Sequence, residues 1–377
     1  MSNDEKVRCA VVGLVQGLED VYVTLNHPRY ELVAVCDADA AKHAFITGAV
    51  RIEDTDHDLR TSPLHSRLIA QIREAPAAKD VKLEEIYDRL LARDDVDAVI
   101  LVVPDLLHEE YTIKALRAGK YVLCTKPMAL TMESAFRIAE AAMATSGHYM
   151  LGFQISYSPF AKTVLEVLES GALGTLRQIR FDYHRSPWRP SHSRKHAEVD
   201  GAIIKESTHW LDLIYRLNDQ LPFTAVAGFG GLDLLVDQLD FEDNGVVIVD
   251  YPGFRASHSF SYFRASKQLE DVLLVGEKGT LRGSFSELLL ETDDEERRIK
   301  VPGHSMTYEH HRGYVEMLDE FARVVLDASE PYSNWRSGLE NMLTCYAAQM
   351  AVADGRTVRR EELSDVDWRL RYPDAAR

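Results

Sequence analysis

The sequence predicts an α/β fold in two parts: an N-terminal domain on a parallel sheet with helices on both faces, then an α+β domain with a large open, mostly antiparallel sheet. Two patterns carry that expectation. Through the first 150 residues, short unbroken apolar runs alternate with helical segments, which is how strands buried on both faces read. From about residue 155, strand-like runs follow one another with few helices between them, as in antiparallel sheets. The change of pattern divides the chain into residues 1–154 and 155–377.

In the first part, Val7 to Val12 is an apolar run ending at Gly13, and Glu31 to Cys36 is a second ending at Asp37. Ala98 to Val103 ends at Pro104-Asp105, and Tyr121 to Cys124 runs into Thr125-Lys126-Pro127. Helical spacing covers Leu83 to Leu91, Tyr111 to Arg117 and Met132 to Ala144. Residues from about 40 to 82 are longer and more polar than one crossover needs. With the acidic stretch Arg51 to Asp58, they read as an inserted, solvated excursion. In the second part, strands are expected at Leu176 to Tyr183, Phe223 to Phe229, Val246 to Tyr251, Ser257 to Phe263, Asp271 to Val275 and Thr280 to Ser284. Two long amphipathic helices close the chain and can pack back on the first domain. In the first of them Tyr314, Met317, Leu318, Phe321, Val324 and Val325 recur at helical spacing, a core stripe.

Composition narrows the function. A chain of 377 residues, 46% of them hydrophobic, can bury two sizeable cores. A formal net charge of -17 opposes nucleic-acid binding, since little offsets the phosphate field. No apolar run approaches the roughly 20 residues of a membrane helix, and the polar stretch Met1 to Lys6 does not read as a signal peptide. Cys9, Cys36, Cys124 and Cys345 lie inside apolar segments without metal-ligand spacing, as buried thiols in a reducing compartment do. A cytoplasmic protein with no metal site is expected.

The first strand leads into Gly13-Leu14-Val15-Gln16-Gly17-Leu18. A dinucleotide site wants Gly-x-Gly-x-x-Gly here, for the turn, for backbone approach to pyrophosphate and for helix packing. Gly13 keeps its place, Val15 and Leu18 replace the other two glycines, and Gly17 sits one residue early. Asp37 ends the second strand, 24 residues after Gly13, where a carboxylate binds ribose hydroxyls or caps the next helix. With Ala38 beside it and no adjacent cation, NAD is expected over NADP. Lys126 sits at a strand end, held there by Pro127, and strand carboxyl ends are where cofactors and ligands bind in such sheets.

Several segments, in order, resemble the Gfo/Idh/MocA oxidoreductases, the glucose-fructose oxidoreductase and inositol dehydrogenase family. They are Val103-Pro104-Asp105, His108, Ala115-Leu116, Ala118-Gly119-Lys120, Thr125-Lys126-Pro127, Gly152-Phe153-Gln154, Ser170 to Gly174, His209-Trp210-Leu211-Asp212 and Gly276 to Leu281. The resemblance implies a Rossmann domain joined to an open-faced α+β domain, with NAD(P) and substrate meeting at the junction. It also implies oxidation or reduction at one carbon of a sugar, cyclitol or related polyol. Carried over, Lys126 matches the lysine touching nicotinamide and the reacting hydroxyl, and His209 the histidine acting as general acid/base. Pro104, Asp105 and His108 match the loop beside the cofactor, and Gln154 the position beside the carboxamide. Pro127 completes the strand-end motif.

That chemistry is coherent, because a carbinol carbon gives up hydride only as its hydroxyl loses a proton. His209 can take the proton and the Lys126 ammonium can stabilise alkoxide charge. Asp212, one turn on, is placed to orient the imidazole or bind a hydroxyl. The family's glutamate-lysine-proline is Thr125-Lys126-Pro127 here, and its aspartate four residues before the histidine is Lys205, followed by Glu206. A lysine there, with Arg185, Trp188, Arg189, Arg194 and Lys195 in the preceding loop, favours an anionic substrate. A solvated loop facing a neighbouring subunit is the alternative. The residues thus point to an NAD-dependent dehydrogenase acting on a sugar, cyclitol or sugar-acid derivative, with two alternatives: an NAD-retaining enzyme without net redox (epimerisation, elimination or glycoside cleavage), or a ligand-sensing member without turnover. A homodimer or homotetramer is expected.

Overall fold

The computed structural model describes residues 5–14, 16–40, 42–43, 63–145, 148–185, 201–262, 269–303 and 313–375. Six strands form the first sheet: β1 (Val7–Val12), β2 (Tyr30–Cys36), β3 (Lys82–Glu84), β4 (Ala98–Leu101), β5 (Tyr121–Thr125) and β6 (Tyr149–Gly152), in the spatial order 3-2-1-4-5-6. Every pairing is parallel. Successive residues of each strand go to opposite cores. Cys9 and Val11 of β1, Ala98 and Ile100 of β4 and Leu123 of β5 meet Leu18 and Val21 of α1 (Leu18–Asn26) and Ile69 and Ile72 of α2 (Pro63–Glu74). Ala10, Val12, Val99, Leu101 and Val122 face the other way, toward Leu90 of α3 (Tyr87–Leu91), Leu116 of α4 (His108–Arg117) and Phe136 of α5 (Met132–Ala144). Burial on both faces is why these strands read as unbroken apolar runs.

Within the segment around residues 40 to 82 lies α2, and the acidic stretch is outside the described residues. The helix expected from Leu83 begins only at Tyr87, because Lys82–Glu84 is taken up as the edge strand β3 beside β2. Local chemistry sets other boundaries. Thr131 accepts the Ser134 amide at the start of α5 (3.1 Å). Ser158 caps α6 (Pro159–Glu169), which has proline in its first turn, by accepting the Ala161 amide.

The second sheet has nine strands, and all but one of its neighbouring pairs are antiparallel: β7 (Leu176–His184) and β10 (Phe254–Ser261) run parallel. The remaining strands are β8 (Ala225–Gly231), β9 (Asn244–Tyr251), β11 (Leu269–Gly276), β12 (Gly279–Gly283), β13 (Glu287–Thr292), β14 (Glu296–Lys300) and β15 (Val358–Arg359). Its inner face packs on α6, on α7 (Thr208–Leu217) and on α9 (Trp335–Asp354), through Phe181, Phe160, Trp210, Val247 and Leu343. The helix α8 (Tyr314–Asp327) returns to the first sheet: Leu318 and Phe321 lie in one core with Val7 and Cys9, and Tyr30 donates its hydroxyl to the Leu318 carbonyl at 2.6 Å. Among the described residues, no helix is long and apolar enough to cross a membrane.

Candidate active site

The strand order reverses between β1 and β4, and the crevice at their carboxyl ends is where open α/β sheets bind ligands. Gly13 takes φ +92° there, and a Cβ on it would lie 2.2 Å from the Val102 carbonyl oxygen, so no other residue fits. A Cβ on Gly17 would lie 2.2 Å from the Gly13 oxygen. Gly17 thus lets the start of α1 pack closely on the turn and β1, as the missing third glycine would have done. Leu14 is buried and its amide donates to Asp37 Oδ2 at 2.9 Å. Val15 lies outside the described residues.

Asp37 also accepts the Asp39 amide at 3.0 Å, and Lys42 Nζ stands 3.5 Å from Oδ1. The expectation of no cation near Asp37 is therefore corrected: Ala38 is adjacent in sequence, but the following helical turn brings Lys42 back. Each carboxylate oxygen has two lone pairs, so ribose hydroxyls can still bind Asp37. The glycine cradle and this strand-end carboxylate fit a dinucleotide, with Gly13, Leu14, Gly17 and Asp37 holding it. The first turn of α1 is less favourable, since Glu19 and Asp20 place two buried carboxyls at the end that meets pyrophosphate.

Beyond β4, Val103 and Pro104 cross to a short helical turn, Asp105–Leu107, that leads into His108 at the start of α4. His108 is fully buried. Its Nδ1 lies 2.7 Å from the Pro127 carbonyl oxygen and its Nε2 3.1 Å from that of Val103. One imidazole thus ties the loop after β4 to the loop after β5. The Lys126–Pro127 peptide is cis. Thr125, the residue in place of the family glutamate, donates to the Leu101 carbonyl at 3.1 Å. Lys126 Nζ donates to the backbone carbonyl of Lys205.

Lys205 and Glu206 belong to a π-helical turn, Ile203–Ser207, that leads into α7; such turns recur at functional sites. Here the lysine that departs from the family pattern meets the loop after β4. Lys205 Nζ reaches both oxygens of Asp105, at 2.7 and 2.9 Å, with side chains only 15% and 7% exposed. The cation expected to receive an anionic substrate is therefore matched by a carboxylate from the first domain. Glu206 likewise faces Arg185, 3.7 Å away. Trp188 and residues 189–200 lie outside the described residues.

His209 is buried on α7, its ring edge-on to Phe153, with centroids 6.5 Å apart. Phe153 follows β6 and precedes the buried Gln154, so the imidazole sits beside the strand-end segment expected to face the cofactor. Asp212, expected to orient the imidazole or bind a hydroxyl, is held by residues outside α7. It accepts from Ser156 Oγ and, at 3.3 Å, from the Tyr332 hydroxyl, and burial pushes its carboxyl up to about 7. Arg216 donates to the Ser156 carbonyl and lies over the rings of Tyr157 and Tyr332.

Three supports of this helix escaped the sequence reading. Ser207 Oγ lies 3.1 Å from Nε2 of His258, whose Nδ1 lies 3.2 Å from the Phe181 carbonyl. Burial pushes His258 down to about 3, so it stays neutral, with Nδ1–H donating to the carbonyl and Nε2 accepting from Ser207. Thr208 donates to Asn341 Oδ1 at 2.6 Å and accepts from Asn341 Nδ2 through its carbonyl at 2.9 Å. Glu242 accepts the Ile203 amide at 3.0 Å. A signal existed for one: His258 falls in phase with Phe254, Ala256 and Phe260, the inward positions of β10.

Comparison with known proteins agrees with this architecture. Residues 7–153 match the family model described as oxidoreductase family, NAD-binding Rossmann fold, and residues 161–282 match the GFO/IDH/MocA C-terminal domain. Inositol 2-dehydrogenase of Corynebacterium glutamicum (strain R) is 34% identical over 200 residues, covering 50% of this chain and 59% of that protein. The chain aligns with 36% to 65% of the length of the first four curated relatives. An oxidoreductase from Agrobacterium radiobacter, in complex with NAD+, L-tartaric acid and magnesium, superposes with TM-score 0.78 at 15% identity, over 95% of this chain and 99% of that one. GenD2 from gentamicin A biosynthesis, in complex with NAD, gives 0.75 at 21% identity, over 95% and 97%. Two family models in the expected order, on an NAD-binding Rossmann domain followed by the open-sheet domain, establish that this chain belongs to the Gfo/Idh/MocA oxidoreductase family.

Proposed function

We propose that the chain is an NAD-dependent oxidoreductase acting at a carbinol carbon of a neutral sugar or cyclitol, with Lys126 and His209 as its chemical pair. The observation that carries this reading is the bond from the Lys126 ammonium, at the end of β5, to the backbone of Lys205, four residues before His209. It joins the cofactor side of the cleft to the helix that bears the imidazole. The bound nicotinamide supplies the hydride acceptor or donor. His209 takes or returns the hydroxyl proton, and Lys126 stabilises negative charge on the substrate oxygen. Gln154 faces the cofactor, and Asp37 binds its adenosine ribose and disfavours a 2′-phosphate.

The charges favour a neutral polyol over the anion that the sequence suggested. Among the described residues, Lys205 is matched by Asp105, and Arg185 stands beside Glu206. An uncharged polyhydroxyl substrate avoids competing with either carboxylate. The test is NADH formation by the purified chain over a panel of polyols and sugar acids, repeated with Lys126→Ala. Turnover on neutral polyols that drops about 10²- to 10⁴-fold in the variant, with an unchanged circular dichroism spectrum, is the expected result. Near-normal turnover in Lys126→Ala, or activity confined to sugar acids, overturns the reading.

A further inference from the structure

The proposed chemistry does not use the ion pair across the cleft. Asp105 stands on the turn after β4 and Lys205 on the turn before α7. The ammonium reaches both carboxylate oxygens, and both side chains are nearly closed to solvent. Their neighbours place this pair among the groups assigned to the reaction. The Lys205 carbonyl takes the Lys126 ammonium, and His108, three residues after Asp105, lies 2.7 Å from the Pro127 carbonyl oxygen. Lys126 is thus held at both ends by contacts that lead back to the turn carrying Asp105.

Two neighbours could compete for the paired charges, and each is engaged elsewhere. His108 Nε2 is 4.0 Å from Asp105 Oδ1 and closer, 3.1 Å, to the Val103 carbonyl oxygen. Glu206, next to Lys205 in the chain, faces Arg185. Removing one partner of a buried pair leaves the other charge uncompensated, so a cation in that position recruits an anion. A carboxylate already in place has the opposite effect: it occupies the ammonium and repels a second anion.

We propose that Asp105 is the specificity-determining residue of this pocket: by holding Lys205 it excludes carboxylate-bearing substrates, and without it the same pocket takes a sugar acid. This role for Asp105 rests on the polyol reading above and names the residue behind it. A sugar acid entering beside Lys126 would bring its own carboxylate to Lys205, and Asp105 already fills that place. A neutral polyol leaves the pair intact.

The test is calorimetric titration of the NADH-loaded chain with D-glucitol and with D-gluconate, which differ only in a hydroxymethyl group against a carboxylate at one end. The quantity read is the ratio of the Kd for gluconate to the Kd for glucitol. Asp105→Asn keeps the shape of the side chain, removes its charge and should lower the ratio about tenfold. Lys205→Met removes the cation, leaves Asp105 an unpaired carboxylate and should raise the ratio by a similar factor. Shifts in these opposite directions support the proposal. A ratio unchanged in either folded variant, or moved the same way in both, overturns it. Where circular dichroism shows that Asp105→Asn does not fold, the direction of the shift in Lys205→Met decides. A parent chain that binds gluconate more tightly than glucitol sinks the polyol assignment instead, and the signs of the two shifts still decide the role of Asp105.

Discussion

At the residue scale, the site is best understood through pairs. Lys205 departs from the family pattern and, read alone, favours an anionic substrate, while Asp105 lies in a segment that matches the family. Together they form an ion pair between the two domains, nearly closed to solvent, with the Lys205 carbonyl left to receive Lys126. The sequence showed both residues and did not show that they meet, because they are 100 positions apart and only the fold brings them together. Asp20 is the opposite case: its Oδ1 has no hydrogen-bond partner among the described residues, and burial pushes its carboxyl from 3.8 up to about 7. The folded chain therefore keeps this proton where the unfolded chain has lost it. Stability tied to the protonated form is intact below about pH 4 and is lost as the pH rises to about 7. Asp20→Asn, which cannot ionise, should stabilise the fold by about 2–4 kcal/mol at neutral pH and far less near pH 4. Urea unfolding at the two pH values measures this, and an equal gain at both would assign the effect to something other than ionisation.

At the element scale, legibility followed burial. The strands of the first sheet could be read almost to the residue, because burial on both faces leaves an unbroken apolar run between Gly13, Asp37 and Lys126. β3 was missed because three residues with polar ends carry no period, and it pairs only at the sheet edge. The π-helical turn before α7 was missed for a different reason. A π turn is set by what anchors it, and its anchors, Glu242, His258 and Asn341, come from distant segments. Asp212 faces Ser156 and Tyr332, partners 56 and 120 positions away that spacing along a helix does not reveal. Asn341 satisfies both the hydroxyl and the carbonyl of Thr208, one residue before His209. Asn341→Leu leaves these buried groups unpaired and should cost about 1–3 kcal/mol of stability. If the anchor also positions His209, kcat falls by more than the stability loss explains while KM changes little. An equal loss in Asn341→Leu of stability alone, with kcat intact, would limit the anchor to folding.

At the scale of the whole molecule, helices cover the inner face of the nine-stranded sheet, and several described side chains of its other face are exposed. Register places Phe229 opposite Val246 and Ala227 opposite Ile248, so these four share the outer face. Ser259 and Ser257 continue the row onto β10, and Asp182 and Arg180 onto β7. Phe229 is 73% exposed, Val246 46% and Ile248 47%, a run of β-branched and aromatic side chains beside a polar band. Scattered apolar residues on a surface need no explanation, but a contiguous patch framed by charge is what self-complementary interfaces bury. Arg180 and Asp182, two residues apart on that band, give a two-fold related copy charges of both signs to meet. The expected homo-oligomer would therefore form through this face, leaving the cofactor crevice of the first sheet open. Val246→Glu with Ile248→Glu should leave the inner core untouched, since both side chains point away from it, and should release monomers. Sedimentation equilibrium checks the mass, and circular dichroism the fold. An oligomer that survives both charges, or a parent chain that is already monomeric, would show that this face is not where copies meet.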